Sequence, residues 1–121
     1  MGTRKLVIKL TVGQAEAERC GQALSVAATA VASGVPVSLW LAGEAAWFAV
    51  PERLKEVVLA HSPPLTDLFD SVLAAGTVTL CTQCAARRDI TPADIIDGVR
   101  IAGAPTFVAE VAAEDSQALV Y

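Results

Sequence analysis

The stretch VTLCTQCAARRD, Val78 to Asp89, is an apolar run that stops on Cys81, repeats the thiol at Cys84 and passes through two alanines to Arg87 and Arg88. Thr77 to Leu80 reads as a strand ending on Cys81, and Thr82 to Arg88 as the opening of a helix. A strand that hands directly to a helix is the unit from which parallel α/β sheets are built.

The flanking sequence repeats that unit. Lys5 to Thr11 (KLVIKLT) is rich in branched residues and reads as a first strand, turning at Val12-Gly13. Glu16 to Ser33 is a helix whose face Cys20, Ala23, Leu24, Ala27, Ala28 and Val31 is continuous and small, closed by Gly34. Pro36 to Leu41 (PVSLWL) is a second strand running into Ala42-Gly43-Glu44. Short helical turns over Glu44 to Ala49 and Pro51 to Val58 precede the loop around His61 and Pro63-Pro64, and Leu65 to Ala75 is a helix stopped by Gly76. Beyond the quoted stretch, Thr91-Pro92 is an N-cap and first-position proline for a helix over Pro92 to Ile96. Val99 to Ala102 reads as a short strand, Thr106 to Ala113 as a helix and Ala118 to Tyr121 as the last strand. The expected architecture is a three-layer α/β/α sandwich on a mainly parallel sheet of about five strands. One domain, residues 1–121, is expected.

Composition narrows the function. Net charge is -4 and the pI about 4.8, which opposes unassisted binding to a phosphate backbone, so no direct nucleic-acid contact is expected. Every apolar run is broken before it could cross a bilayer, and the N-terminus reads as a strand and not as a leader, so a cytoplasmic protein is expected. Hydrophobic residues make up 54% of the chain while aromatics are 5%; the surplus of Ala, Val and Leu predicts a homo-oligomer formed through small-residue helices. Three cysteines without a secreted-scaffold spacing favour reduced thiols.

Cys81 stands where ligands bind in open parallel sheets, at the carboxyl end of a strand. The free N–H groups of a following helix would favour its thiolate. Two thiols at one junction favour chemistry over packing, whereas Cys20, mid-face in an alanine-rich helix, reads as core. Arg87 and Arg88 could add positive potential only if folded back, and at least one of them reads as solvated surface. Glu44 and His61 lie in loops from which either could reach the thiol or face solvent. Trp40 and Trp47 read as core or interface anchors. A zinc site would need Cys20 and His61 to join the CxxC pair, so no metal is expected, nor any other cofactor. No dinucleotide, P-loop, GxSxG or HExxH signature is present. A thioredoxin-like reading of CxxC with the Pro105-Thr106 pair fails on order, because too little chain follows to complete that fold.

The order of features resembles the DsrE/DsrF-like family of small sulfur-relay proteins. The resemblance rests on the KLVIKLT strand, the Ala-rich helix ending in Ser-Gly-Val, VSLWL followed by GEA, and Cys81 followed by Arg87, Arg88, Ile90 and the Asp94 segment. Asp89 stands where family members carry glycine, so the turn there is expected to differ. The family implies a flavodoxin-like fold, trimeric or hexameric assembly, and Cys81 as a persulfide carrier working between sulfur donor and acceptor proteins. Cys84 lies outside the family's general motif and could close on Cys81 as a second, resolving catalytic thiol, with Arg87, Arg88, Glu44 and His61 as candidate binding residues. The competing readings are a thiol redox or metal-sensing module and a non-catalytic oligomeric structural protein.

Overall fold

The computed structural model describes residues 4–121; the reading of the N-terminus as leaderless falls partly on residues outside these. Strands β1 (Lys5–Leu10), β2 (Val37–Leu41), β3 (Thr77–Cys81), β4 (Arg100–Ala102) and β5 (Ser116–Val120) form one sheet in the order β4-β3-β2-β1-β5. Every pairing is parallel. Helices α1 (Ala17–Ala32), α2 (Leu65–Ala75), α3 (Thr82–Arg87) and α4 (Ala104–Val111) fill the connections.

Chain order dictates which face each helix covers. From β1 to β4 the strands advance in one direction, so right-handed crossovers carry α1 and α2 to the same face, where they pack together. The return from β4 to β5 runs the other way, and the same handedness sends α4 to the opposite face, where Phe107 meets Trp40 edge-on at 5.3 Å. The α/β/α expectation is therefore met, with a second helical layer of only eight residues.

The two faces of the sheet differ in chemistry because side chains alternate along each strand. Ile8, Leu10, Leu39, Leu41, Val78 and Leu80 point toward α1 and α2 and form the main core with Leu24, Phe69 and Val72. Burying each such side chain contributes about 1.5–3 kcal/mol. The register aligns Lys9, Trp40, Thr79 and Arg100 across the other face. There Glu110 of α4 accepts hydrogen bonds from Ser38 Oγ, from Trp40 Nε1 at 3.4 Å and from Arg100, and pairs with Lys5 Nζ at 3.6 Å. Helix α4 has no fully buried residue, so this carboxylate and the Trp40–Phe107 contact hold it to the sheet.

Local punctuation follows the sequence. Gly34 takes φ +81 after α1 and the Val35 N–H reaches Ala30 O at 2.9 Å, closing the helix with a Schellman turn. Thr91 and Asp94 form a reciprocal capping box, but on a 3-10 turn, Pro92–Asp94, and not the longer helix expected. Helix α4 starts at Ala104 with Pro105 in its first turn, and β5 starts at Ser116, both ahead of the expected boundaries. The small face of α1 is consumed inside the chain: Cys20, Ala23, Ala27 and Ala30 are buried. Large apolar side chains are exposed instead at Val58 (85%), in the segment before α2, and on α4 and β5, where Val108 is 57% and Val120 is 64% exposed.

Candidate functional site

Cys81 ends β3 and is the N-cap of α3, with φ -64° and ψ 126°. It is half-buried and pairs in register with Ala102, from which the chain passes through Gly103 into α4. A Cβ on Gly103 would lie 3.7 Å from Thr82 Oγ1, so the starts of α3 and α4 meet beside the thiol.

Burial pushes the Cys81 thiol up, but opposing groups outweigh it: the Cys84 N–H, the Cys84 thiol, the Gln83 N–H and the charge of Lys9 together hold it below its ordinary value of 9.0. The neutral thiol makes no capping hydrogen bond. The donors act on the ionised sulfur, which occupies the position where a helix start stabilises an anion. Lys9 sits inside β1, which is flanked on both sides by β2 and β5, and a lysine so placed in a sheet is rarely idle.

Cys84 points inward and is 8% exposed. Its Sγ accepts the Gly43 N–H at 3.1 Å. Gly43 has φ +52, and a Cβ there would stand 2.5 Å from Thr11 O, so only glycine fits this approach. Arg88 is folded back: its guanidinium reaches Glu44 Oε2 at 2.7 and 2.9 Å and Cys84 O at 3.1 Å. Glu44 thus neutralises Arg88, and the positive charge acting on Cys81 comes from Lys9. Arg87 is exposed.

Asp89 keeps the turn that its replacement of glycine put in question. It adopts φ +54, with Ile90 N–H on Ala85 O at 2.9 Å and Asp89 N–H on Ala86 O at 3.2 Å, a Schellman closure sealed by buried Ile90. Aspartate tolerates the left-handed region better than most residues but less well than glycine. Asp89→Gly should therefore stabilise the protein by about 0.5–1 kcal/mol, read as a raised urea midpoint with unchanged slope. An unchanged or lowered midpoint would count against a strained Asp89.

The remaining candidates lie elsewhere. His61 is exposed with φ +56 and borders a cavity of about 510 Å³ with Glu18, Gln22, Leu59 and Tyr121; Cys81 does not line it. Cys20 is fully buried, lies 3.3 Å from Gly13 O, and burial together with Glu16 pushes its thiol up to about 11. Trp40 is core, and Trp47 is half-buried with Arg53 over its ring at 4.3 Å. Among the described residues, no group of three or more His, Cys, Asp or Glu side chains comes together as metal ligands, and no helix is long and apolar enough to cross a membrane.

An all-parallel α/β sheet with a half-buried thiol at the end of an inner strand defines a class of small thiol proteins. The DsrE/DsrF-like family model matches residues 4–117, and the chain belongs to that family. The fold is similar to that of the ychN protein from E. coli, with TM-score 0.80 and 20% identity over 98% of this chain and 100% of that one. It is also similar to protein MTH1491 from Methanobacterium thermoautotrophicum, with TM-score 0.66, 8% identity and coverage of 99% and 100%. Protein BT1422 from Bacteroides thetaiotaomicron aligns with TM-score 0.61 and 14% identity over 98% of this chain and 95% of that one. No curated protein matches the sequence.

Proposed function

We propose that this protein is a sulfur carrier that holds sulfur as a persulfide on Cys81, working in the cytoplasm as a homo-oligomer between donor and acceptor proteins. The observation that carries the reading is a half-exposed thiol at a strand end whose sulfur is favoured as thiolate by two backbone N–H groups, a neighbouring thiol and Lys9. Membership of a family generally concerned with sulfur relay supports it.

In the loading step the Cys81 thiolate attacks the terminal sulfur of a donor persulfide. The donor's S–S bond breaks, a Cys81 persulfide forms and the donor leaves as a thiolate. In delivery an acceptor thiolate attacks that same outer sulfur and Cys81 returns as thiolate. Electrons balance in each step without an oxidant. Intact-mass measurement after exposure to a persulfide donor tests the reading. A gain of one sulfur mapping to Cys81 supports it; no gain, or a gain on another thiol, overturns it.

A second reading has its own observation. Cys84 lies three residues after the N-cap Cys81 at the same helix start, and its thiol is among the groups that favour the Cys81 thiolate, so Cys84 could attack Cys81 in the loaded state, forming a disulfide and expelling hydrosulfide. Cys84→Ala separates the two. A resolving Cys84 predicts that the variant keeps its persulfide while the wild type loses it with sulfide release and a drop of two hydrogens. Equal persulfide lifetimes make Cys84 a supporting donor only.

The exposed apolar residues of α4 and β5 are the surface assigned to self-association. Val108→Asp should shift the sedimentation coefficient of the wild-type oligomer toward that of the protomer. A wild type that sediments as a monomer removes the oligomer from the proposal.

A further inference from the structure

Arg88 makes two contacts at once. Its Nη1 donates to the carbonyl of Cys84 at 3.1 Å, while Nε and Nη2 hold Glu44 Oε2 at 2.9 and 2.7 Å. Between those anchor points lies the contact they bracket, the Gly43 N–H donating to Cys84 Sγ at 3.1 Å. Gly43 belongs to the turn after β2 and Cys84 to α3, so nothing local in the chain fixes their separation. The Arg88 side chain is only 19% exposed despite sitting at the helix end, and its rigid guanidinium fork suits two simultaneous acceptors in a way a lysine ammonium does not. A sulfur that accepts a hydrogen bond on one side is left to direct its own S–H to the other. Cys81, the N-cap of α3, stands three residues before Cys84 at the same helix start, and the Cys84 thiol is among the groups that favour its thiolate.

We propose that Arg88 is a positioning residue: by clamping Glu44 to the carbonyl of Cys84 it holds the Gly43 N–H on the Cys84 sulfur and so aims the Cys84 thiol at Cys81. This rests on Cys81 being the reacting thiol. The groups acting on Cys81 from the packed elements are Lys9 of β1, the N–H groups of α3 and the Cys84 thiol; Arg88 acts on the last of these alone.

The test follows the rate of Cys81 alkylation against pH, with the modified peptide identified by mass, in wild type, Arg88→Ala, Arg88→Lys, Cys84→Ala and the Arg88→Ala/Cys84→Ala pair. Cys20 is buried and serves as an internal check that each variant is folded. Arg88→Ala should raise the Cys81 midpoint by about half a pH unit, slowing alkylation near neutrality about threefold, with Arg88→Lys recovering only part of it. In the Cys84→Ala background the same change should have no further effect, because the thiol through which it acts is gone. The Gly43 amide should lose hydrogen-exchange protection in Arg88→Ala. Equal shifts with and without Cys84 would mean that Arg88 acts directly by its charge, and the clamp is wrong. No shift from Arg88→Ala, with the wild-type midpoint lowered, overturns the clamp and leaves the carrier reading standing. A wild-type midpoint at the ordinary thiol value overturns the carrier reading itself.

Discussion

Replacing Cys81 by serine is expected to abolish sulfur uptake, lowering the rate of persulfide formation by more than about a thousandfold. A serine hydroxyl at the same strand end stays protonated at neutral pH, and the N–H groups and Lys9 that favour a thiolate cannot ionise it. Its oxygen also cannot form the S–S bond that stores the cargo. The fold should tolerate the exchange, since Cys81 is half-buried and serine suits an N-cap. Circular dichroism and the urea midpoint should therefore match wild type while the added sulfur disappears from the intact mass. Undiminished uptake by Cys81→Ser would falsify the assignment of the carrier thiol and move attention to Cys84.

The largest stability effect is expected at Glu110. Its side chain is 12% exposed and joins α4 to three strands through Ser38 and Trp40 of β2, Arg100 of β4 and Lys5 of β1. Burial pushes its carboxyl up, but the hydrogen bonds from Ser38, Arg100 and Trp40 and the charge of Lys5 prevail and hold it below its ordinary value of 4.5. A carboxyl whose folded value is depressed contributes stability that is fully present above the unfolded value and is lost as pH falls through the folded one. Glu110→Gln removes that contribution and leaves Arg100 and Lys5 without their counter-charge. Both cations are partly exposed, at 42% and 39%, which moderates the loss to about 2 kcal/mol at neutral pH. Urea unfolding at pH 7 should show it as a midpoint lower by about 1 M, and the gap between variant and wild type should narrow below pH 4.5. Equal midpoints at pH 7 would mean that the Trp40–Phe107 contact holds α4 without help.

Much of the fold was legible because it is written locally. Branched runs bounded by glycine, the Ser33-Gly34 helix stop and the Thr91-Pro92 cap each act over a few residues, and each stands where the sequence put it. Cys81 at the junction of strand and helix was equally plain. The errors fell where short-range signals conflict: Pro92 to Ile96 carries a good cap but too little helix to follow it, and α4 begins two residues early because Pro105 suits the first turn better than Thr106.

By itself the sequence determined the order of strands and helices, their punctuation and the position of the thiol pair, because propensity, capping and periodicity are properties of neighbouring residues. Only the tertiary structure decided that Lys9 shares a face with Cys81, that Glu110 ties α4 to the sheet, and that Gly43, Glu44 and Arg88 bracket Cys84. The contacts of Glu110 with Trp40, of Gly43 with Cys84 and of Glu44 with Arg88 join residues 41 to 70 positions apart. They arise from the register and the sense of each crossover, which long-range pairing sets and no local pattern encodes.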